Sequence, residues 1–411
     1  MTPGKVALDT ASIGSLDLLD PNLHATRDLT EVWRRLRRDE PLRWQSTPAD
    51  CAVPGFWCLT RHADVLRVAR DDRRFTSLRG NMLGTLLRGD EPGSGQMLVV
   101  SDGRFHAALR SLLAAGFGPR SLGPIEHCVA VATGELLDAM LERGGGDFAG
   151  EVAAQIPLRA ICELLAVPES DRAQILEFTN AAMLGAHTRS AGLEARIAQS
   201  EILLYYTGLA AHRRTAPGSD IISMLVGSEV EGRPLTDEEV VANCYNLIIG
   251  GDETARFALS GGLIALAENE PQWLALRADP TLVGTGTEEI LRWTTPAMHV
   301  GRTATVPVEI HGRTVAAGEV LALWNVSANR DERVFPAPDE FDLAREPNRH
   351  VTFGYGPHFC IGAQLARTEI KALLAGLRRK VKRVEVAGSV EWLPSTFVSG
   401  ACALPVALTP G

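Results

Sequence analysis

The chain has 411 residues, of which 45% are hydrophobic and 22% are charged, and its formal net charge at pH 7 is −9. This length allows either one large domain or two lobes, and the acidic balance argues against nucleic acids and anionic membrane surfaces as partners. Seven scattered cysteines with no Cys-x-x-Cys pair fit neither a disulfide framework nor a zinc cluster. Residues 1–20 contain no long apolar run, so we expect neither a signal peptide nor a membrane anchor, and we expect a cytoplasmic protein.

Helical periodicity dominates the first half of the chain. It predicts helices over residues 29–38, 62–70, 105–113, 125–143, 151–166, 169–183 and 194–214. A strand-like hairpin lies between the first two helices, at residues 42–45 and 56–60. Residues 77–97 have no clean periodicity and are predicted to form a long loop, which is uncommon in a compact protein unless the loop is functional.

A capping box opens the longest predicted helix. The Thr236 hydroxyl is placed to accept from the backbone of Glu239, whose carboxylate is placed to reach back to Thr236. The apolar run that follows has no proline before Glu268, which gives a helix of roughly 50 Å at about 1.5 Å per residue. The remaining predicted elements are helices 287–294 and 363–381 and short strands at 302–305, 308–310, 320–324 and within 384–406. The sequence therefore predicts a mainly α fold with a minor β component.

One cysteine stands in the glycine-rich stretch Phe-Gly-Tyr-Gly-Pro-His-Phe-Cys-Ile-Gly, residues 353–362. Glycines at this density permit positive φ angles and close backbone approach. Cys360 comes just before a predicted helix, where unpaired backbone N–H groups and the helix dipole favour a negative charge and are expected to lower the thiol pKa. Because a thiolate is the form that binds metals, the stretch indicates a single axial metal ligand. A buried structural cysteine in a glycine-rich turn is the alternative.

This stretch resembles the haem-binding loop of the cytochrome P450 family, Phe-x-x-Gly-x-x-x-Cys-x-Gly. The matching residues are Phe353, Gly356, Cys360 and Gly362. His358 stands where the family often has His or Arg. The resemblance implies that the Cys360 thiolate ligates the iron of haem b, and that Phe353, Gly354 and Gly362 belong to the cofactor-binding loop.

Mostly small residues share one face of the long helix, namely Leu247, Gly250, Gly251, Thr254 and Ala258. Two glycines inside a helix cost roughly 1 kcal/mol each relative to alanine, so this face indicates either the close approach of a large flat group or a tight contact between helices. The segment 250–254, Gly-Gly-Asp-Glu-Thr, resembles the oxygen-activation motif of the same family, although Ala255 departs from the usual following residue. The resemblance implies that Thr254 assists oxygen activation and that Glu253 feeds a proton relay. Asp252 occupies a variable position of the motif, so which acid handles protons stays open.

Glu289 and Arg292 form a Glu-x-x-Arg pair at i and i+3 of a predicted helix. Such pairs are usually solvated contacts of little energy. This pair lies about seventy residues before Cys360, and the segment 341–345 resembles the meander of the same family. The resemblance implies a structural ion network of Glu289, Arg292 and Arg345.

Four basic side chains match, one by one, the positions from which the family binds the haem propionates. They are His106 and Arg110 in the helix after the long loop, Arg302 in a short strand, and His358 in the cysteine loop. Each of them alone would more often be an ordinary surface or core residue. By the same resemblance, Arg110 and Arg367 are expected on the cysteine side of the haem, where an acidic ferredoxin would dock.

The resemblance covers nearly the whole chain and implies one cytochrome P450 domain over residues 1–411, with a long central helix over the haem. It implies a monomeric haem-dependent monooxygenase that activates O₂ with electrons from NAD(P)H, delivered through a ferredoxin reductase and a ferredoxin. Such an enzyme would hydroxylate or oxidatively couple a small organic substrate, and we expect it to act in secondary metabolism.

The sequence does not identify the substrate. The wall of the pocket is expected to include residues 77–97 and 181–185 together with Asn246, Leu247, Gly250, Ala297, Met298, Val300 and Phe397. Met298 and Phe397 suggest an apolar pocket with an aromatic contact. His299 is either a polar handle for the substrate or an ordinary turn histidine.

Three other functions use the same haem site. A peroxide-driven peroxygenase would work without ferredoxin, although the Glu253–Thr254 pair argues against it. An oxidase of carrier-protein-tethered substrates would need a docking surface that the sequence does not define. A non-enzymatic haem-thiolate sensor would not need the acid–alcohol pair.

Overall fold

The computed structural model describes residues 4–8, 16–186 and 193–411, and the side chains of these residues except 183–186. Its helices are α1 (Pro21–Thr26), α2 (Thr30–Asp39), α3 (His62–Ala69), α4 (Leu83–Arg88), α5 (Gly103–Gly116), α6 (Pro119–Glu142), α7 (Gln155–Leu164), α8 (Arg172–Ala186), α9 (Leu193–Thr215), α10 (Ile221–Val226), α11 (Asp237–Glu268), α12 (Glu270–Ala278), α13 (Leu282–Thr294), α14 (Asn325–Ala328) and α15 (Ala363–Lys380). The strands are β1 (Val6–Ala7), β2 (Arg27–Asp28), β3 (Leu42–Ser46), β4 (Gly55–Leu59), β5 (Phe75–Thr76), β6 (Gly145–Asp147), β7 (Glu229–Val230), β8 (Arg233–Pro234), β9 (Val300–Ala304), β10 (Val308–Ile310), β11 (Arg313–Val315), β12 (Val320–Leu323), β13 (Val381–Val386), β14 (Glu391–Trp392), β15 (Ala401–Ala403) and β16 (Pro405–Pro410). The prediction of a mainly α fold with a minor β component is confirmed.

The long helix α11 is the centre of the helical part and begins at the predicted capping box. The Glu239 N–H donates to the Thr236 hydroxyl at 3.2 Å, and the Thr236 N–H donates to the Glu239 carboxylate at 2.9 Å. These two bonds satisfy donors that the first turn of a helix leaves unpaired. The helix then packs against α7, α9, α13 and α15, so its faces border several layers of the core.

The largest sheet has the strand order β3-β4-β12-β9-β5, with β4 and β12 parallel and the other pairs antiparallel. Side chains alternate between its two faces, as a strand requires. Phe56 and Cys58 pack into one hydrophobic cluster, whereas Trp57 and Leu59 pack into another. The sheet therefore has apolar cover on both faces, and β9 carries Val300 and Arg302 from this sheet toward the helices.

The last strands fasten the end of the chain to the helical core. Strand β16 pairs with β13 on one side and with β6, which follows α6, on the other. Strand β15 pairs with β14, and an isolated bridge joins Ala297 to Val398. This bridge places the segment after α13 beside the C-terminal strands.

The prediction of an unbroken loop over residues 77–97 is wrong, because α4 lies inside it. The side chains of Leu83, Leu86 and Leu87 are buried, which gives this short helix one apolar face. Gly89 ends the helix with a φ of +74°, a conformation that favours glycine. Six residues are too few for helical periodicity to be recognised, which explains why the pattern missed α4.

Other boundaries also differ from the sequence predictions. Helix α13 begins at Leu282, not near residue 287, since the glycines of its first turns weaken the helical signal. The predicted helix over residues 151–166 consists of a π-helical turn, Ala149–Ala153, followed by α7. None of the described helices is both long and apolar enough to cross a membrane. That one domain covers residues 1–411 stays a prediction.

Candidate active site

A cavity lies between the middle of α11 and the cysteine loop that precedes α15. Its wall also includes residues of α5, of α7 and of the segment 296–302. Among the residues predicted for the site, those that line the cavity are His106, Arg110, Asn246, Leu247, Gly250, Thr254, Ala297, Val300, Arg302, Phe353, Gly354, His358, Cys360 and Gly362. The structure thus brings together residues that are up to about 250 positions apart in the sequence.

Glycine is required at Gly356 for the path of the cysteine loop. Its φ is +74°, and a Cβ atom there would lie 2.6 Å from the Cα atom of Arg70. Across the loop, the Cys360 N–H donates to the Phe353 carbonyl at 2.8 Å. The loop therefore folds tightly against the end of α3 and presents the Cys360 side chain to the cavity.

The thiol of Cys360 contradicts one prediction from the sequence. Burial in protein raises its pKa, against the opposing effects of the Gly362 backbone N–H and the charges of Arg110 and Arg367. The side chain lines the cavity, and the position before a helix does not by itself produce a thiolate. A metal ion at the sulfur would supply what is missing, because coordination deprotonates a thiol.

The small-residue face of α11 combines both of the alternatives that the sequence left open. A Cβ atom on Gly250 would meet no neighbour, so this position leaves open space above the cavity. A Cβ atom on Gly251 would lie 3.0 Å from Ile161 of α7, so this glycine allows close packing of two helices. The Thr254 hydroxyl faces the cavity and donates to the Gly250 carbonyl at 3.1 Å.

Two buried basic side chains at the cavity, His106 and Arg302, have few hydrogen-bonding or charged partners among the described residues. The Nε2 atom of His106 is buried without a hydrogen-bond partner among the described residues, and burial lowers the pKa of this imidazole to about 4. Arg302 is also buried, which lowers the pKa of its guanidinium to about 10, and it donates to the Gly301 carbonyl at 2.7 Å. Such groups are suited to an acidic ligand that enters the cavity.

His358 has a partner that the sequence did not predict. Its Nε2 atom lies 2.9 Å from the Asp102 carboxylate, which also accepts from the Thr76 hydroxyl and the Ser77 N–H. Burial alone would raise the pKa of Asp102, but these hydrogen bonds together lower it. Burial lowers the pKa of His358, so a neutral imidazole donates Nε2–H to a charged Asp102. The His358 ring lies against the ring of His106, tilted by 34° and with 4.2 Å between the centroids.

The position of Asp102 in the sequence suggests a helix cap rather than a partner for His358. It is the residue before Gly103, where α5 begins, and Asp is common at that place because its side chain caps helices. Here the carboxylate makes no capping bond and turns back to His358 instead. Sequence alone does not reveal this pairing, since it depends on two segments 256 residues apart.

The two predicted acids of the α11 motif lie outside the cavity wall. Glu253 is half-buried, and its charge is felt by Cys402 of β15. Asp252 is buried, and its Oδ1 atom has no partner within the described part of the chain. Burial, reinforced by the charge of Glu253 and opposed by Arg256, raises the pKa of Asp252 to about 7. Neither acid touches the cavity directly, whereas Thr254 and the two glycines of the motif do.

The structure brings Glu289, Arg292 and Arg345 together in the core. Arg292 donates to both carboxylate oxygens of Glu289, at 2.7 and 2.8 Å, and the Arg345 Nε donates at 3.1 Å. The Asp342 N–H and the Asn348 amide also donate to Glu289, each at 3.0 Å. The remaining guanidinium N–H groups donate to backbone carbonyls of residues 329 and 336–340. None of these three side chains lines the cavity, and the network joins α13 to the segment that leads to the cysteine loop.

Met298 and Phe397 were predicted for the substrate pocket, but neither lines the cavity. Consecutive residues of an extended segment point to opposite sides, so Ala297 faces the cavity while Met298 faces a second cavity of about 730 Å³. Phe397 packs edge-on against His299 at 5.5 Å between centroids. For the predicted wall segment 181–185, the side chains beyond residue 182 lie outside the described residues.

His299 is a structural histidine. Its Nε2 atom accepts the Leu83 N–H at 3.3 Å, which ties the first turn of α4 to the strand-like segment before β9. Burial, with a contribution from the charge of His24, lowers the pKa of His299 to about 3. The ring is therefore neutral and does not reach the cavity.

Of the two arginines expected on the cysteine side of the haem, one is paired with a carboxylate. The Arg367 guanidinium donates to the Glu288 carboxylate at 2.7 and 2.9 Å, and His350 approaches the same carboxylate at 3.1 Å. These two partners, together with the Arg367 charge, lower the pKa of Glu288 to about 2 although burial opposes the shift. Arg110 has no carboxylate partner within 4.0 Å among the described residues and lies close enough to affect Cys360.

The residues of this cavity fit a haem. The small face at Gly250 leaves space for a flat group, Cys360 offers a sulfur ligand, and His106 and Arg302 offer donors for acidic substituents. No group of three or more His, Cys, Asp or Glu side chains in the described ranges could hold a metal ion by itself. A cofactor that brings four of its own ligands to the iron agrees with a site of one cysteine.

Comparison with known protein families supports the same cofactor. The family model described as "Cytochrome P450" matches residues 281–381, the region from α13 to the start of β13. The cytochrome P450 NovI of Streptomyces niveus is 45% identical over 399 residues, which is 97% of this chain and 98% of NovI. A steroid C26-monooxygenase of Mycobacterium tuberculosis is 33% identical over 401 residues, 96% of this chain and 97% of that protein.

Solved structures share the fold along nearly the whole chain. The crystal structure of P450 OxyD, an enzyme involved in the biosynthesis of vancomycin-type antibiotics, superposes with a TM-score of 0.87 at 35% sequence identity. The superposition covers 96% of this chain and all of that chain. The likeness therefore includes the cavity and all the helices that border it.

Proposed function

The chain belongs to the cytochrome P450 family, and we propose that it hydroxylates or oxidatively couples a small organic substrate during the biosynthesis of a secondary metabolite. It is a haem-thiolate oxidoreductase of the monooxygenase type. The observation that supports the proposed reaction is the position of Thr254, whose hydroxyl faces the cavity from α11 while Cys360 faces it from the opposite loop.

Each side chain of the cavity has a defined task in this proposal. The Cys360 sulfur would hold the haem iron, and His106 and Arg302 would hold its acidic substituents. When bound, the haem supplies the iron at which O₂ is activated. The Thr254 hydroxyl would hold a proton on the side of the cavity where O₂ would bind, opposite Cys360. Glu253, the preceding residue, lies near Cys402 of β15 and would pass protons to Thr254.

The electrons would come from NAD(P)H through a ferredoxin reductase and an acidic ferredoxin that docks over the cysteine loop. Arg110 would supply positive charge there, whereas Arg367 contributes less because it is paired with Glu288. We propose a monomeric enzyme of the cytoplasm. The seven cysteines, which all lie in the described part of the chain and form no disulfide, support the proposed compartment.

The substrate class is proposed from the relatives. OxyD takes part in antibiotic biosynthesis, and a comparable role for this chain agrees with a cavity whose substrate side is formed by Leu247, Ala297 and Val300, with Asn246 as a polar group. The absence of a side chain at Gly250 and the small side chain of Ala297 would leave room for a ring-bearing substrate.

A spectral binding screen of the ferric holoenzyme tests the proposal. Small organic precursors of secondary metabolites would be offered free and as thioesters of a carrier protein, with a steroid as the control compound. We expect a precursor to displace water from the iron and then to yield a hydroxylated or coupled product with NAD(P)H, a ferredoxin and its reductase. Product formation with peroxide but not with the ferredoxin system would replace the proposal by a peroxygenase. Binding without turnover under either condition would indicate a sensor.

A further inference from the structure

One buried asparagine joins the segment before α5 to the long helix α11. Asn243 is 0% exposed, and its Oδ1 atom accepts the Leu98 N–H at 3.0 Å. Its Nδ2 atom donates to the Gln96 carbonyl at 2.9 Å and to the Glu239 carbonyl at 2.7 Å. The amide therefore bonds to the two backbone groups that flank Met97 and to the preceding turn of its own helix.

Residues 93–100 form turns that are closed by their own backbone hydrogen bonds. The Met97 N–H donates to the Gly93 carbonyl at 3.0 Å, and the Gly95 N–H donates to the Val100 carbonyl at 2.9 Å. Such bonds determine the local shape of the segment, but they do not determine its position relative to a helix. A primary amide carries two donors and an acceptor in one plane, so Asn243 pairs with the segment as a neighbouring strand would. Its hydrogen bonds thus set the distance between this segment and α11.

The position of this segment matters because two of its side chains border the active site. Leu98 and Val99 line the cavity, directly after the residues 77–97 that the sequence assigned to the pocket wall. Leu247, which is also part of the wall, lies four residues after Asn243 on the same face of α11. Asn243 itself does not line the cavity, so it acts on the cavity through Leu98 and Val99.

A purely structural role for Asn243 is the alternative. The first turns of α11 have other attachments, since Arg233 donates to both carboxylate oxygens of Glu239, at 2.6 and 2.8 Å, beside the capping box at Thr236. Burial of an amide costs free energy unless its polar atoms are bonded, so an apolar side chain would serve packing alone at lower cost. The amide at residue 243 is explained by the bonds that it makes to the backbone of residues 96 and 98.

We propose that Asn243 is a positioning residue for substrate selectivity, which fixes the backbone of residues 96–98 to α11 and holds Leu98 and Val99 as an apolar wall of the active-site cavity. The part of the substrate that meets this wall is then apolar, an alkyl group or an aromatic ring, because a polar group without a partner would be costly there. The inference needs the haem of the family but not the biosynthetic role proposed above, so each can fail without the other.

Azole binding to the ferric holoenzyme tests the proposal without a known substrate. Imidazole by itself is a ligand of the iron, whereas 4-phenylimidazole adds an aromatic ring that extends into the cavity. Asn243→Asp keeps the side-chain shape and an acceptor for Leu98 but removes the donors to Gln96 and Glu239. At about pH 8, spectral titration should show a dissociation constant for 4-phenylimidazole on the order of tenfold above that of the wild type, and an unchanged one for imidazole. At about pH 5 the new carboxyl group is protonated, because burial raises its pKa, and it donates one bond again, so the difference from the wild type at the same pH should shrink.

Two further variants separate this effect from a general loss of stability. Asn243→Leu, which keeps a side chain of similar size, should weaken 4-phenylimidazole binding in the same way at both pH values. Asn269→Ala is the matched control, because the Asn269 amide donates to the Ala265 carbonyl at 2.7 Å, an equivalent bond at the other end of α11. This control should bind both azoles as the wild type does. Equal effects on the two azoles, or wild-type affinities in both Asn243 variants, would overturn the proposal.

Hydrogen exchange of the holoenzyme tests the attachment of the segment directly. The Leu98 amide should be protected in the wild type, because it donates to Asn243. Its exchange should accelerate on the order of tenfold in Asn243→Leu, while the amides inside α15 keep their wild-type rates. A Leu98 amide that exchanges freely in the wild type would overturn the proposal, and this result does not depend on the folding of any variant.

Discussion

Two groups of buried ionisable side chains lie within this molecule, and they differ in how completely their polar atoms are hydrogen-bonded. At Glu289 every carboxylate oxygen and most guanidinium N–H groups of Arg292 and Arg345 have partners at hydrogen-bond distance. At Asp252 and Glu369 the carboxyl oxygens are buried, and three of the four lack partners. Satisfied charges fix a structure, whereas unsatisfied ones stay available for a ligand or a proton. The difference separates buried groups that hold the fold from buried groups whose hydrogen-bonding capacity is unused.

The largest expected effect is the loss of the thiolate ligand at Cys360. Cys360→Ala should abolish the thiolate-specific red shift of the reduced carbonyl complex, since it removes the sulfur that faces the cavity. The protein should still fold, because the Cys360 side chain lines the cavity and does not belong to the hydrophobic core. Absorption spectra of the reduced carbonyl complex and circular dichroism measure the two properties separately. A variant that keeps the red shift would sink the assignment of Cys360.

The next largest effect is expected in the satisfied group. Glu289→Ala leaves Arg292 buried without its carboxylate, at a cost of about 3–5 kcal/mol in the free energy of unfolding. We expect little folded holoprotein, unlike the result for Cys360→Ala. Glu288→Ala, which changes the neighbouring but partly exposed residue, is the matched control. Normal expression and a normal denaturation midpoint for Glu289→Ala would show that the network is dispensable.

Thr254→Ala sharpens the comparison on the cavity side. The hydroxyl donates to the Gly250 carbonyl on the cavity face, so its loss should leave iron ligation and the fold nearly intact. Proton delivery should suffer by a factor of up to about 10²–10⁴, and reducing equivalents should then be released as peroxide. The ratio of product formed to NAD(P)H oxidised measures this effect. The same ratio in wild type and variant would mean that the proton route does not include Thr254.

Per pH unit, the smallest expected effect is on the pH dependence of stability. The folded-state pKa of Asp252 is about 7, above the value of about 3.9 for an unfolded chain. Since the folded protein binds more protons between these values, the free energy of unfolding should fall as pH rises from about 4 through 7. Asp252→Asn should remove this contribution, up to roughly 1.4 kcal/mol per pH unit. Urea denaturation midpoints at several pH values check it, and parallel curves for the two proteins would contradict the buried-acid assignment.

Much of the fold was predictable because its signals are local. The capping box of Thr236 and Glu239 and the proline-free run to Glu268 placed both ends of α11 correctly. The short helix α4 was missed, since six residues give too little periodicity and its three leucines become a face only by packing under β9 and β12. Helix ends near glycines were also displaced for the same lack of local signal.

The candidate site was predictable where a motif determines it. Cys360 and the Thr254 region carry short patterns, and the structure brings both to one cavity. Contacts between distant segments had no such pattern. The Asp102–His358 pair, the buried Glu369 and the outward position of Met298 depend on packing that one-dimensional spacing does not encode. The elevated pKa of Cys360 was missed for the same reason, because burial outweighed the local helix effect.

The extended segment at Ala297 and Met298 has a consequence for how this enzyme could be altered. Ala297 lines the active-site cavity, whereas Met298 lines the cavity of about 730 Å³. Because neighbouring side chains of an extended segment point to opposite sides, the two positions can be changed independently. Substitutions at residue 297 would alter which substrates the active-site cavity accepts, whereas substitutions at residue 298 would alter the other cavity. A library of variants at both positions would therefore change the substrate selectivity at residue 297 and the stability at residue 298 separately.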